Sequence, residues 1–126
     1  MIKNLRSGTI NAPILRKENS IIERCVNSNG FPSITHYEVL EENIINNLKF
    51  SKVKCLLETG RTHQIRVHMS HIGHPLLGDD LYKGNTSLIN RQALHSYKIS
   101  FIHPITKTNV MYKASIPLDI IKISLK

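Results

Sequence analysis

Hydrophobic and polar positions divide the chain into two strand-rich blocks with a helical one between them. Residues 33–42 (SITHYEVLEE) and 48–58 (LKFSKVKCLLE) are dense in β-branched and aromatic residues, the composition of half-buried strands. The intervening stretch 43–47 predicts an antiparallel hairpin with a loose loop. Gly60 breaks the strand pattern, and residues 62–72 (THQIRVHMSHI) then keep helical spacing for about three turns until Gly73 and Pro75. Thr62 or Thr59 is the expected cap. At ~100° per residue, Ile65, His68, Met69 and Ile72 fall on one side and His63, Arg66, Ser70 and His74 on the other, with Val67 out of place near the polar side.

The flanks are less regular. Residues 1–32 hold Gly8, Pro13, Asn27, Ser28, Asn29, Gly30 and Pro32, which predicts a loop-rich lead-in with one short strand in SIIERCV, residues 20–26. Past the helix, HPLLGDDLYKG (74–84) predicts a structured loop. Residues 93–104 and 109–116 predict a second hairpin turning near 104–109, and 117–125 a short closing helix. This order is that of an α+β domain with an antiparallel or mixed sheet and a few short helices.

Charge adds a partner class. The 126 residues carry 17 Lys and Arg against 9 Asp and Glu, a net charge of +8 with histidines neutral, which favours polyanions and nucleic acid first among them. No stretch approaches the ~20 apolar residues of a membrane span and no signal peptide is visible, so a cytoplasmic protein is expected. Cys25 and Cys55 lack CxxC spacing and read as ordinary reduced thiols.

One stretch combines positive and protonatable side chains without any acid: TGRTHQIRVHMSHIGH, residues 59–74, holds two arginines and four histidines. A solvated basic helix would interleave Glu at i,i+4, so this side is read as facing something negative. A metal site would draw on His63, His68, His71 and His74, but His63 and His68 are five apart and no Cys, Asp or Glu stands beside His71 and His74 in the helix. We expect no metal and no cofactor. Scattered aromatics argue against a base-stacking platform, leaving a basic α+β domain that contacts RNA or DNA.

LETGRTHQIRVHMSHIGHPLLGDDLYKG, the 28 residues 57–84, closely resembles the diagnostic segment of the RluA-type pseudouridine synthases. GTINAPI (8–14), PSITHYEVLE (32–41) and RQALHSYKISFIHPITK (91–107) resemble that family's flanking blocks in order. The resemblance implies isomerisation of uridine in ribosomal or transfer RNA, with no cofactor, by a partial pseudouridine synthase catalytic domain. It implies that Arg66 lies in the active site and pairs with the catalytic aspartate, whose ionised form a bidentate guanidinium stabilises. Arg61 and His63, near the helix start, are expected RNA-phosphate contacts.

The family's aspartate belongs to a His-Arg-Leu-Asp segment followed by Thr-Ser-Gly, and neither occurs here. The aspartates are Asp79, Asp80 and Asp119, none of them placed to be the nucleophile, and Asp79 is expected to hold turn backbone. The expectation is therefore that residues 1–126 form the C-terminal portion of the catalytic domain, without the aspartate-bearing part or any S4-type domain, and that Arg66 lacks its partner. Such a chain would be inactive alone and inclined to self-associate or to pair with the missing segment. The alternative is a non-enzymatic basic RNA-binding module.

Overall fold

A computed structural model of the chain describes residues 7–102, 105–107 and 109–120. Among the described residues, seven strands and one eight-residue helix follow one another as β1 (Ser7–Asn11), β2 (Ile14–Arg16), β3 (Arg24–Val26), β4 (Ile34–Ile45), β5 (Leu48–Leu57), α1 (Gln64–His71), β6 (Lys98–Ile102) and β7 (Asn109–Lys113). All strand pairs are antiparallel. They form one three-stranded sheet ordered β1-β4-β5 and two hairpins, β2-β3 and β6-β7, so the chain has the α+β architecture expected.

The β4-β5 hairpin is longer and tighter than the sequence suggests. Strand β4 runs through the presumed loose loop to Ile45, which pairs with Leu48. Asn46 and Asn47 alone make the turn, at φ 50° and 66°, the left-handed pair that a two-residue hairpin turn requires and that Asn tolerates. Thr35, Tyr37 and Val39 alternate inward along β4. A register shift between Val39 and Glu41 then re-aims the distal strand.

The lead-in departs most from expectation. Residues 7–11 are an edge strand of the main sheet, with Ile10 opposite Thr35, and Ile10, Ala12 and Ile14 are core residues. Ala12 N–H donates to Ser33 O at 3.1 Å and Ile14 exchanges two backbone hydrogen bonds with Phe31, at 3.0 and 2.9 Å. Turn-forming residues obscured these short strands, whose apolar positions are single and separated. Conversely, SIIERCV is a strand only over its last three residues, and Ile21 is 85% exposed.

Helix α1 begins at Gln64, two residues later than predicted. His63 takes the cap position at φ 57°, and neither Thr62 nor Thr59 caps the helix. Thr59 instead accepts Ile34 N–H at 3.0 Å and donates to Gln64 Oε1 at 2.7 Å. Gln64 Oε1 also accepts Arg61 N–H at 3.0 Å, while its Nε2 donates to Ile34 O and to Thr35 Oγ1, each at 3.0 Å. One buried amide thus ties the helix start to β4.

The helix is buried on two sides. Met69 packs with Ile10, Ala12, Tyr37 and Val39, supported by Ile65 and Ile72. Val67 enters a second cluster with Ile14 and Tyr82, because the 74–91 segment covers what periodicity alone assigns to the polar side. His68, fully buried, donates Nε2–H to Ala12 O at 2.8 Å, and its Nδ1 lies 2.8 Å from Thr35 Oγ1.

The second hairpin is shorter than 93–104 and 109–116, and residues 103, 104 and 108 of its turn lie outside the described residues. Of the closing helix, residues 118–120 are helical and 121–125 lie outside the described residues.

Candidate functional site

Arg66 projects from α1 toward the covering segment and meets Asp79. Its Nε donates to Asp79 Oδ2 and its Nη2 to Asp79 Oδ1, both at 2.9 Å, the side-on bidentate geometry of an arginine–carboxylate pair. Asp79 is 1% exposed. The expectation that Arg66 has no carboxylate partner in this chain is corrected here: a residue read as a turn-holder supplies one. Asp79 also performs that turn role, accepting Tyr82 N–H on Oδ1 at 3.4 Å.

The backbone around Asp79 explains its placement. Gly78 sits at φ 75°, where a Cβ would come within 1.9 Å of Arg91 O, so only glycine lets the two segments cross there. Asp79 N–H donates to Leu76 O at 3.2 Å and Gly84 N–H to Asp79 O at 2.7 Å, closing a compact loop around the buried carboxylate.

Tyr82 forms the floor beneath Arg66. The guanidinium carbon stands 5.1 Å from the tyrosine ring centroid, within cation–π range. Tyr82 Oη accepts Arg24 N–H at 2.9 Å and lies 2.8 Å from His63 Nδ1. The direction of the Oη–Nδ1 hydrogen bond follows the His63 tautomer, and a neutral His63 with its proton on Nε2 accepts from the tyrosine. Burial and then the nearby Arg66 and Arg24 charges hold the His63 pKa below its ordinary value, consistent with that arrangement. Burial likewise raises the Tyr82 pKa, and the Asp79 hydrogen bonds raise that of Arg66.

These groups open onto a cleft of about 620 Å³ lined by Arg24, His63, Arg66, Asp80 and Arg91, with Ile21 and Ile22 also on its wall. Arg91 makes its own bidentate pair with Asp119, 2.9 Å on each arm. Arg24 Nη1 donates to Ile21 O at 3.3 Å and Ile22 O at 3.2 Å, pinning the exposed hairpin tip. Two of the three cleft arginines are thus paired with carboxylates distant in sequence, so the site is less cationic than residues 59–74 suggest.

Of the predicted site residues, Arg66 and His63 come together in the cleft and Arg61 does not line it. Arg61 Nε donates to Pro32 O at 3.0 Å and its guanidinium carbon lies 5.5 Å from the Phe31 ring centroid. Sequence reasoning missed Tyr82, Arg24, Arg91 and the Asp79 pairing. Asp79 follows Arg66 by 13 residues, a separation with no helical or strand periodicity; the only available hint was an acid between Gly78 and a buried tyrosine. Among the described residues no three His, Cys, Asp or Glu side chains converge as a metal site, and no helix is long and apolar enough to cross a membrane.

Comparison with known proteins places this geometry in context. The sequence profile of the RNA pseudouridylate synthase family matches residues 2–71. The chain is 51% identical over 116 residues to the uncharacterized RNA pseudouridine synthase YjbO of Bacillus subtilis, covering 92% of this chain and 40% of that protein. It is 45% identical over 131 residues to the ribosomal large subunit pseudouridine synthase D of Buchnera aphidicola subsp. Schizaphis graminum, covering 91% and 40%. Among solved structures, human RNA pseudouridylate synthase domain containing 1 superposes with a TM-score of 0.74 at 30% identity, covering 89% of this chain and 49% of that one. The chain therefore spans about two fifths of the length of these bacterial relatives.

Proposed function

Because the chain belongs to the RNA pseudouridylate synthase family, and to its RluA type, we propose that it carries the arginine-bearing wall of a site that isomerises uridine in RNA. The observation that carries this reading is Arg66, rigidly held at a cleft with one edge of its guanidinium still available. Pseudouridine formation breaks the N1–C1′ bond, turns the base and joins C5 to C1′; C5 loses its proton and N1 gains one, so the product is an isomer and no redox partner is required. An ionised carboxylate must act near C1′, and an arginine fork favours its charged form and fixes its direction.

That carboxylate is supplied by sequence beyond these 126 residues, the relatives being more than twice as long. Among the described residues β1 and β5 are the edges of the main sheet, the latter with exposed Leu56 and Leu57, and such edges favour pairing with that segment or with a second copy. Arg24 and His63 contact the RNA backbone, the target uridine leaves its stack to reach the cleft, and ribosomal RNA is the first substrate to test. Such work on RNA fits a cytoplasmic location.

The test is complementation. RNA carrying tritium at uridine C5 is incubated with the chain alone and with a polypeptide bearing the His-Arg-Leu-Asp segment. Tritium release by the pair, absent from the chain alone and lost with Arg66→Ala, is expected. Release by the chain alone would overturn the division of labour. Salt-sensitive RNA binding without release would favour a non-enzymatic RNA-binding module.

A further inference from the structure

We infer that Asp79 is the positioning residue of this site, holding the Nε–Nη2 edge of Arg66 so that the Nη1–Nη2 edge is presented to a single anionic group in the cleft. The inference deepens the reading of Arg66 above and rests on it. A guanidinium has five N–H groups in one plane, enough for two bidentate partners on two edges. Asp79 takes Nε–H and one Nη2–H; the second proton of Nη2 and one of Nη1 form the end-on fork, which has no hydrogen-bond partner among the described residues, and the other Nη1 proton points back toward Cδ.

Three features make this more than an ordinary ion pair. First, the carboxylate side chain is fully buried while Arg66 keeps 15% of its side-chain surface, so the pair is one-sided: the acid faces protein and the base faces the cleft. Second, Tyr82 supports the guanidinium plane from below, removing rotation that two hydrogen bonds alone would permit. Third, Asp79 is anchored by its own backbone and by Tyr82 N–H, so it cannot follow Arg66 outward. An arginine held in this way loses little rotamer entropy when it binds a second carboxylate, and that preorganisation raises catalysis more than ground-state affinity. Partners that orient metal ligands alter affinity or activity about 10–100-fold when changed, and a loss of that order is expected for a residue that orients an arginine in the same way.

The experiment uses the 126-residue chain with ¹⁵N-labelled arginine and formate as a carboxylate probe. In the wild-type protein the Arg66 Nε–H resonance should be protected from exchange and stay in place as formate is added, while the Nη1 protons shift. In Asp79→Asn the Nε–H protection should be lost and formate binding should weaken by about tenfold. In the complemented enzyme the same substitution should lower kcat by about tenfold or more with KM for RNA within about twofold. Formate displacing the Nε–H bond in the wild type, or Asp79→Asn leaving both resonances and affinity unchanged, would overturn the inference. The wild-type titration decides the matter even if Asp79→Asn does not fold. If complementation yields no turnover while the resonances behave as stated, the uridine-isomerising reading fails and the positioning of Arg66 stands.

Discussion

Arg66 on α1 and Asp79 in the covering loop, 13 residues apart, close a bidentate ion pair of two 2.9 Å hydrogen bonds around a carboxylate sealed from solvent. Breaking such a pair from one side leaves an uncompensated charge in a poorly solvated place, which typically costs about 3–5 kcal/mol. Arg66 keeps 15% of its side-chain surface on the cleft, so Asp79→Ala should destabilise the chain by about the lower end of that range or less in urea unfolding. The double substitution Arg66→Met with Asp79→Leu should be closer to wild type than Asp79→Ala, because no buried charge is orphaned. A double variant less stable than Asp79→Ala would show that the pair itself, and not the orphaned charge, dominates.

Stability should fall on mild acidification. Burial holds the His68, His63 and His74 pKa values below the ordinary value, so the unfolded chain takes up protons before the folded one does. The stability they help define is present above the unfolded histidine pKa of about 6.5 and is lost as pH drops below it. Protonating His68 would also put a proton on Nδ1, where Thr35 Oγ1 donates in the neutral network. Urea midpoints at pH 7 and pH 5 should differ, and His68→Gln should narrow the difference without abolishing it. An unchanged difference would place the effect elsewhere.

Gly78 and Gly73 share a left-handed backbone, at φ 75° and 86°, but not a neighbourhood. An added Cβ at Gly73 meets nothing within 4 Å, whereas at Gly78 it would press on Arg91 O. Gly73→Ala should cost about 1 kcal/mol from backbone strain alone. Gly78→Ala should cost more than about 2 kcal/mol and should also lower turnover by the complemented enzyme, since the loop that carries Asp79 must shift. Equal losses in thermal unfolding would contradict the packing described.

Arg24 faces the cleft while Arg61 lies against Phe31 and Pro32, which separates their contributions to RNA binding. Arg24→Ala should weaken binding across RNA sequences and reduce the log–log salt slope by about 1. Arg61→Ala should change the slope by less. A larger slope change for Arg61→Ala would move the RNA path onto the helix start, where sequence alone places it.

The main hairpin, the helix and the α+β class were legible before any coordinates, because each rests on local composition and period: β-branched and aromatic residues at 33–58, then one turn-bracketed helical repeat. Short strands β1 and β2 were not, since three to five residues among turn formers carry no period and become strands only when β4 and Phe31 supply their hydrogen-bond partners. Val67 shows the same limit within the helix. A hydrophobic residue on a polar face reads as an exception until a distant segment packs over it.

The candidate site divides along the same line. Sequence by itself determined the family and the shared side of the helix that carries His63 and Arg66, because these lie in one contiguous segment whose residue order is distinctive. Only the tertiary structure decided what Arg66 touches. Ion pairing at 2.9 Å depends on where loops cross, and the crossing at Gly78 and the burial of Asp79 are products of the whole packed domain, written in no local pattern of the chain.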